Sequence, residues 1–137
     1  MTTSSPSHEK PIPEPDEATA PFFEAASRRV LSIPRCTDCR TWLAPGTTSC
    51  TECWSEALEW SEASGRATLY TFGLMHQPYH AAFELPYNLA EVELVEGPRL
   101  NSVVVGVPDG ELRVGMALVA VFEAVAAGVG LVKFSRA

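Results

Sequence analysis

The four cysteines constrain this chain most, because all of them fall in one short window, Cys36-Thr-Asp-Cys39 and then Cys50-Thr-Glu-Cys53. Two C-x-x-C pairs at this separation match the pattern in which each pair closes a tight knuckle and four thiolates converge tetrahedrally on one zinc ion. A pair of disulfides is disfavoured by the cytoplasmic setting expected below, and a redox C-x-x-C has no need of a second copy. Four sulfur ligands leave no open coordination position, so the metal is read as structural and not as an activator of water. The stretch from Thr41 to Ser49 is too short to fold by burial, so metal-binding free energy becomes folding free energy. Arg35 and Arg40, beside the first knuckle, are placed to offset the negative charge of a tetrathiolate site. The residue after the second cysteine of each knuckle, often glycine, is Arg40 in one and Trp54 in the other.

The rest of the chain must supply its own core. It has 137 residues, 46% of them hydrophobic and 20% charged, which suits one ordinary domain or two small modules. A formal net charge of −7 has the wrong sign for a protein whose affinity comes from neutralising phosphates, so no nucleic-acid partner is expected. No basic patch leading into an apolar run is seen at the N-terminus, and a cytoplasmic protein is expected. The apolar run from Val114 to Val132 is interrupted by Gly115, Glu123, Gly128 and Gly130, so it reads as two strands and no membrane association is expected.

Four segments follow. Residues 1–19, with Pro6, Pro11, Pro13 and Pro15 and few large apolar side chains, read as a flexible tail. Residues 20–34 hold an amphipathic helix that starts at Pro21, carries Phe22, Phe23, Ala26 and Val30 at three- and four-residue spacing, and ends before Pro34. Its two aromatics need cover, from the body of this chain or from another chain, and the pattern does not choose between them. Residues 35–61 form the zinc ribbon. Residues 62–137 read as five short strands: Arg66 to Met75, Leu89 to Val95, Leu100 to Val107, Met116 to Val125 and Leu131 to Ser135. Turn signals separate them at Glu96-Gly97-Pro98, Pro108-Asp109-Gly110 and Gly128-Val129-Gly130. Ala117 to Ala127 is rich enough in alanine to admit a helix, the strand being preferred. Five strands in so short a span suggest a small barrel of the OB type, and the fold class expected is mainly β.

The connection after the first of these strands is long and rich in Pro, Tyr, His and apolar residues. Its Met75, His76, Tyr79, His80, Phe83 and Tyr87, with Phe22 and Phe23 of the helix, are the candidate residues for contact with a ligand or partner. His76 and His80 are of the acid/base type, but no carboxylate is identifiable that would orient either, and binding is favoured over catalysis. The blander alternative is that Tyr79, Phe83 and Tyr87 plug the mouth of the barrel. Glu91 and Glu93 alternate with Val92 and Leu94 and read as a solvated sheet face. No catalytic residue is assigned.

The order of the parts resembles a known family. Pro21-Phe22-Phe23-Glu24-Ala25-Ala26, Arg35-Cys36-x-x-Cys39, Cys50-x-x-Cys53, Ser64-Gly65-Arg66-Ala67-Thr68-Leu69-Tyr70-Thr71-Phe72, Leu112-Arg113-Val114-Gly115-Met116 and Val132-Lys133-Phe134 together are similar to the zinc-ribbon plus OB-fold proteins of domain of unknown function 35. The likeness covers about residues 20–136. Between the knuckles, where that family often has a proline–arginine element, this chain has Leu43-Ala44-Pro45-Gly46. The resemblance implies an accessory subunit for a thiolase-superfamily enzyme acting on acyl-CoA thioesters. It points to an aldolase that cleaves a steroid side-chain CoA ester by a retro-aldol reaction, or else to a scaffold in acyl-CoA condensation. It also implies a thiolase-fold partner, zinc as structural metal, and a coenzyme A thioester as ligand of the complex. Two other classes are weighed against it: a single-stranded nucleic-acid binder stacking bases on Tyr70 and Phe72, which the acidity opposes, and a free-standing acyl-CoA binding module.

Overall fold

The computed structural model describes residues 16–75 and 87–137. The described residues are mainly β, with one α-helix, α1 (Ala20–Ser27), a short 3-10 helix (Asp109–Glu111) and seven strands: β1 (Ser32–Cys36), β2 (Leu58–Glu62), β3 (Arg66–Met75), β4 (Tyr87–Leu94), β5 (Arg99–Ser102), β6 (Ala117–Ala126) and β7 (Val129–Arg136). β1 and β2 form a two-stranded antiparallel ribbon, and the other five make one sheet in the order β5-β4-β3-β6-β7.

The helix is shorter than the expected 20–34 span. A turn precedes it, in which Asp16 Oδ1 accepts the Ala18 and Thr19 N–H groups at 3.0 Å each; Thr19 is the N-cap without a side-chain cap bond, and Pro21 sits in the first turn, where its missing N–H costs nothing. It ends at Ser27 because Arg29 turns left-handed, with φ 63°. The Arg29 and Val30 N–H groups then bond back to the carbonyls of Ala26 (3.0 Å) and Ala25 (2.9 Å), the pairing that closes a helix in a Schellman turn. The chain leaves directly into β1. Pro34 is tolerated there because β1 has β2 alone as its full-length strand neighbour.

β1 and β2 were not expected from the sequence. They extend the main core at their stem, for Ile33 of β1 and the flanking residues Leu31 and Ala63 are buried in the same cluster as the sheet's own side chains. The Ala63 N–H bonds to the Leu31 carbonyl at 2.8 Å, so the stem of the ribbon is stitched where it meets the barrel.

In the sheet, alternation puts Ala67 and Leu69 of β3 and Ala90, Val92 and Leu94 of β4 inside. A bulge between Leu69 and Thr71 shifts the register and turns Phe72 back toward the core. The alanine-rich segment is a strand, β6, paired with β7 along its length. The sheet curls into a half-barrel of OB type around Phe134, which is fully buried.

Its two edges meet at one isolated parallel bridge, Val104 to Phe134: Phe134 N–H bonds to Val103 O (3.1 Å) and Val105 N–H to Phe134 O (2.8 Å). The buried side chain of Asn88 holds that crossing in place. Its amide donates to Val104 O at 2.9 Å and accepts from Val104 N–H at 2.8 Å, acting as a piece of strand where none is available. Beyond the bridge, the Ser102 hydroxyl donates to Val132 O at 2.9 Å across the seam.

The helix lies against β6 and β7. Gly130 permits this, because a β-carbon there would stand 2.4 Å from the Ala26 carbonyl carbon and the Ser27 nitrogen. Ala25 and Ala26 are buried in the contact and Phe22 packs on the core, so the chain itself covers part of the helix's apolar face, while Phe23 stays half-buried.

Candidate metal centre and docking surfaces

Cys36 ends β1, Cys39 follows on the turn, and Cys50 and Cys53 come from the returning loop. The four ligand atoms lie within 4.8 Å of one another, with Cys36 Sγ 3.6 Å from Cys53 Sγ and Cys39 Sγ 3.5 Å from Cys50 Sγ. A tetrahedral zinc with bonds of about 2.3 Å sets sulfurs about 3.8 Å apart, so both the donor chemistry and the spacing fit that ion.

The two knuckles repeat each other. In the first, Arg40 N–H bonds to Cys36 O at 2.9 Å and Cys39 N–H points at Cys36 Sγ at 3.5 Å. In the second, Trp54 N–H bonds to Cys50 O at 3.0 Å and Glu52 N–H points at Cys50 Sγ at 3.3 Å. Both turns force the next residue left-handed, Arg40 at φ 70° and Trp54 at φ 65°. The backbone conformation that usually selects glycine is thus kept although glycine is not.

The thiols are electrostatically unequal. Hydrogen bonds from the Thr41 side chain and backbone hold Cys39 down, to about 6. Ser55 N–H also pulls on Cys53, but lost hydration and the neighbouring sulfurs of Cys36, Cys39 and Cys50 outweigh it and push Cys53 up to about 12. One thiolate therefore opposes the next, and a dication at the centre is the natural way to ionise all four.

Around the cluster, Arg35 lies 4.5 Å from the Trp42 ring centroid and its Nε donates to Arg40 O at 2.9 Å. The Asp38 carboxylate accepts from the Ser55 hydroxyl, tying one knuckle to the other. The ribbon's separate core is small, Cys36, Leu43 and Cys50 with Leu58 packed on it.

Of the candidate contact residues, Phe22 and Phe23 are half-buried and stack edge to face at 5.3 Å. Phe23, with Ala44 and Pro45 of the ribbon and Leu131 of β7, walls a cleft of about 430 Å³ between helix, ribbon and barrel. Met75 and Tyr87 pair across the end of the β3–β4 ladder. His76, Tyr79, His80 and Phe83 lie outside the described residues. A second groove, of about 640 Å³, follows the open seam, with Phe72, Ala90, Ser102 and Val132 in its wall. Glu91 and Glu93 form no isolated carboxylate pair: Arg99 lies 4.0 Å from one and 3.3 Å from the other, and its guanidinium covers the Tyr70 ring at 3.7 Å.

In the sequence Asn88 carries no signal, Gly130 reads only as a turn residue, and Trp54 stands out only as the residue that replaces glycine after a knuckle.

Two family models match in tandem: the rubredoxin-like zinc ribbon domain of ChsH2 over residues 23–59 and the C-terminal OB-fold domain of ChsH2 over residues 60–123. The chain is 38% identical over 119 residues to a probable enoyl-CoA hydratase alpha subunit of Thermomonospora curvata, covering 87% of this chain and 37% of that protein. It is 31% identical over 91 residues to a DUF35 domain-containing scaffold protein of Methanocaldococcus jannaschii, covering 65% of this chain and 64% of that one. The chain thus spans about a third of the first relative's length and under two thirds of the second's. Among solved structures, a chain of the Ltp2-ChsH2(DUF35) aldolase superposes with a TM-score of 0.82 at 35% identity, over 90% of this chain and 98% of that one. A DUF35 protein of unknown function from Sulfolobus solfataricus has the same fold, with a TM-score of 0.63 at 14% identity over 88% and 89% of the two chains.

Proposed function

The chain belongs to the DUF35 family, in its ChsH2-like form with a zinc ribbon followed by an OB-fold, and from that premise we propose that it is an accessory subunit of an acyl-CoA carbon–carbon lyase. The carrying observation is the likeness, at 35% identity and over nearly the whole of the matched chain, to the ChsH2 component of an aldolase. The partner is read as a thiolase-fold enzyme and the substrate as a coenzyme A thioester, with a steroid side chain as the favoured acyl group.

In this reading Cys36, Cys39, Cys50 and Cys53 hold a structural zinc. The metal, when bound, supplies folding free energy and no catalysis, because four thiolates fill its coordination sphere. The chemistry falls to the partner. A base removes the β-hydroxyl proton, the Cα–Cβ bond breaks to leave a carbonyl compound, and the electron pair passes to the thioester enolate, which takes up a proton. This chain's part is preorganisation: it supports the partner's active-site loops and contacts the pantetheine arm through the Met75 to Tyr87 connection. The M. jannaschii relative, a DUF35 domain-containing scaffold protein, supports a scaffolding role; in the second reading the complex so scaffolded is a condensing thiolase. A cytoplasmic location belongs to either.

The test is reconstitution. The isolated chain is expected to leave a β-hydroxy acyl-CoA untouched, and a mixture with the Ltp2 subunit to cleave it. Full activity of Ltp2 alone, or turnover by this chain alone, overturns the reading.

A further inference from the structure

Two costs meet at Trp54. Its backbone is held at φ 65°, which L side chains avoid, and its indole is 78% exposed to water. Glycine would satisfy the second knuckle with neither cost. Arg40, its counterpart on the first knuckle at φ 70°, at least carries a side chain suited to water. The backbone that carries the indole is also fixed, since Trp54 N–H is tied to Cys50 O at 3.0 Å and Cys50 N–H to Ser55 O at 2.7 Å.

A large aromatic ring on a fixed backbone loses little entropy on docking, which is the character of an interface anchor. Its setting is acidic. Glu52 and Glu56 are exposed on the same knuckle and Asp38 is linked to it through Ser55, while the bases Arg35 and Arg40 belong to the opposite knuckle, Arg35 being turned onto the Trp42 ring and Arg40 O. Four thiolates around a dication add further negative charge.

We infer that Trp54 is the anchor by which the metal end of the ribbon docks on the partner subunit, entering an apolar pocket whose rim carries lysine or arginine. This rests on the accessory-subunit reading and adds the docking end, the anchoring residue and the chemistry of the receiving site.

The discriminating variant is Trp54→Gly, which removes the indole and relieves the backbone, so a loss of binding is not a loss of folding. The probe is the Ltp2 subunit of the aldolase whose ChsH2 component is 35% identical to this chain. Wild type is expected to bind it, with the indole emission moving to the blue. Trp54→Gly is expected to bind at least about 30-fold more weakly while holding as much zinc and melting no lower than wild type. The charge reversals Glu52→Lys and Glu56→Lys are expected to slow association and flatten its dependence on salt. Binding of Trp54→Gly within threefold of wild type overturns the inference and leaves the accessory reading standing. So does self-association of the isolated chain that depends on Trp54, because the occupant would then be a second copy. Failure of wild type to bind Ltp2 overturns both.

Discussion

The ribbon and the half-barrel are made stable by different means although the chain runs through one into the other. Among the described residues, the barrel cluster has fourteen that are buried, from Leu31 to Phe134, and the stem of the ribbon contributes to it. The ribbon cluster has three, and two of those are the cysteines Cys36 and Cys50. Burial on the first scale can offset the entropy of ordering a small domain, and burial on the second cannot. One region is held by its side chains and the other by its ligand set.

The largest test of that contrast is metal removal. Chelation is expected to abolish amide protection in residues 37–57 while the β3–β7 sheet keeps its own, because structural zinc contributes about 10–16 kcal/mol in small ribbons. Uniform loss of protection across both regions would show that they fold as one unit. The pH dependence has a definite sign. Protons compete with the metal for the four sulfurs, so acidification weakens metal binding and release measured with a colorimetric chelator rises as pH falls. The converse test is Asn88→Ala, which strands the Val104 N–H and carbonyl inside the barrel. It is expected to cost about 2–4 kcal/mol in urea denaturation with zinc content unchanged. Gly130→Ala, which drives a methyl into the helix backbone, is expected to cost about 1–3 kcal/mol and to raise hydrogen exchange in α1 before the sheet is affected. The smallest effect is a gain. Arg40→Gly removes a left-handed strain and is expected to stabilise the ribbon by about 1 kcal/mol, read as slower zinc loss.

Legibility in the sequence divides along the same line. The barrel strands were readable because alternation and turn residues are local, and the first of them runs from Arg66 to Met75 as expected. The convergence of the four cysteines was readable because knuckle spacing is nearly a geometric statement. The ribbon strands β1 and β2 were not, since Ser32 to Cys36 contains a proline and pairs with a segment far along the chain. The end of the helix was missed because Arg29, not glycine, takes the left-handed position. Asn88 was invisible for a different reason. Its value comes from the backbone of Val104, and no pattern around an asparagine announces a partner that distant in sequence. Gly130 likewise looked like part of a turn, and only the approach of α1 reveals why a side chain is forbidden there.

The stitched stem of the ribbon has a mechanical consequence. With Leu31, Ile33 and Ala63 sunk in the barrel's interior, β1 and β2 behave as a shaft and not as a tether. A torque applied at the knuckles is carried down that shaft into the curled sheet, and so to the crossing that Asn88 and the Ser102–Val132 bond hold closed.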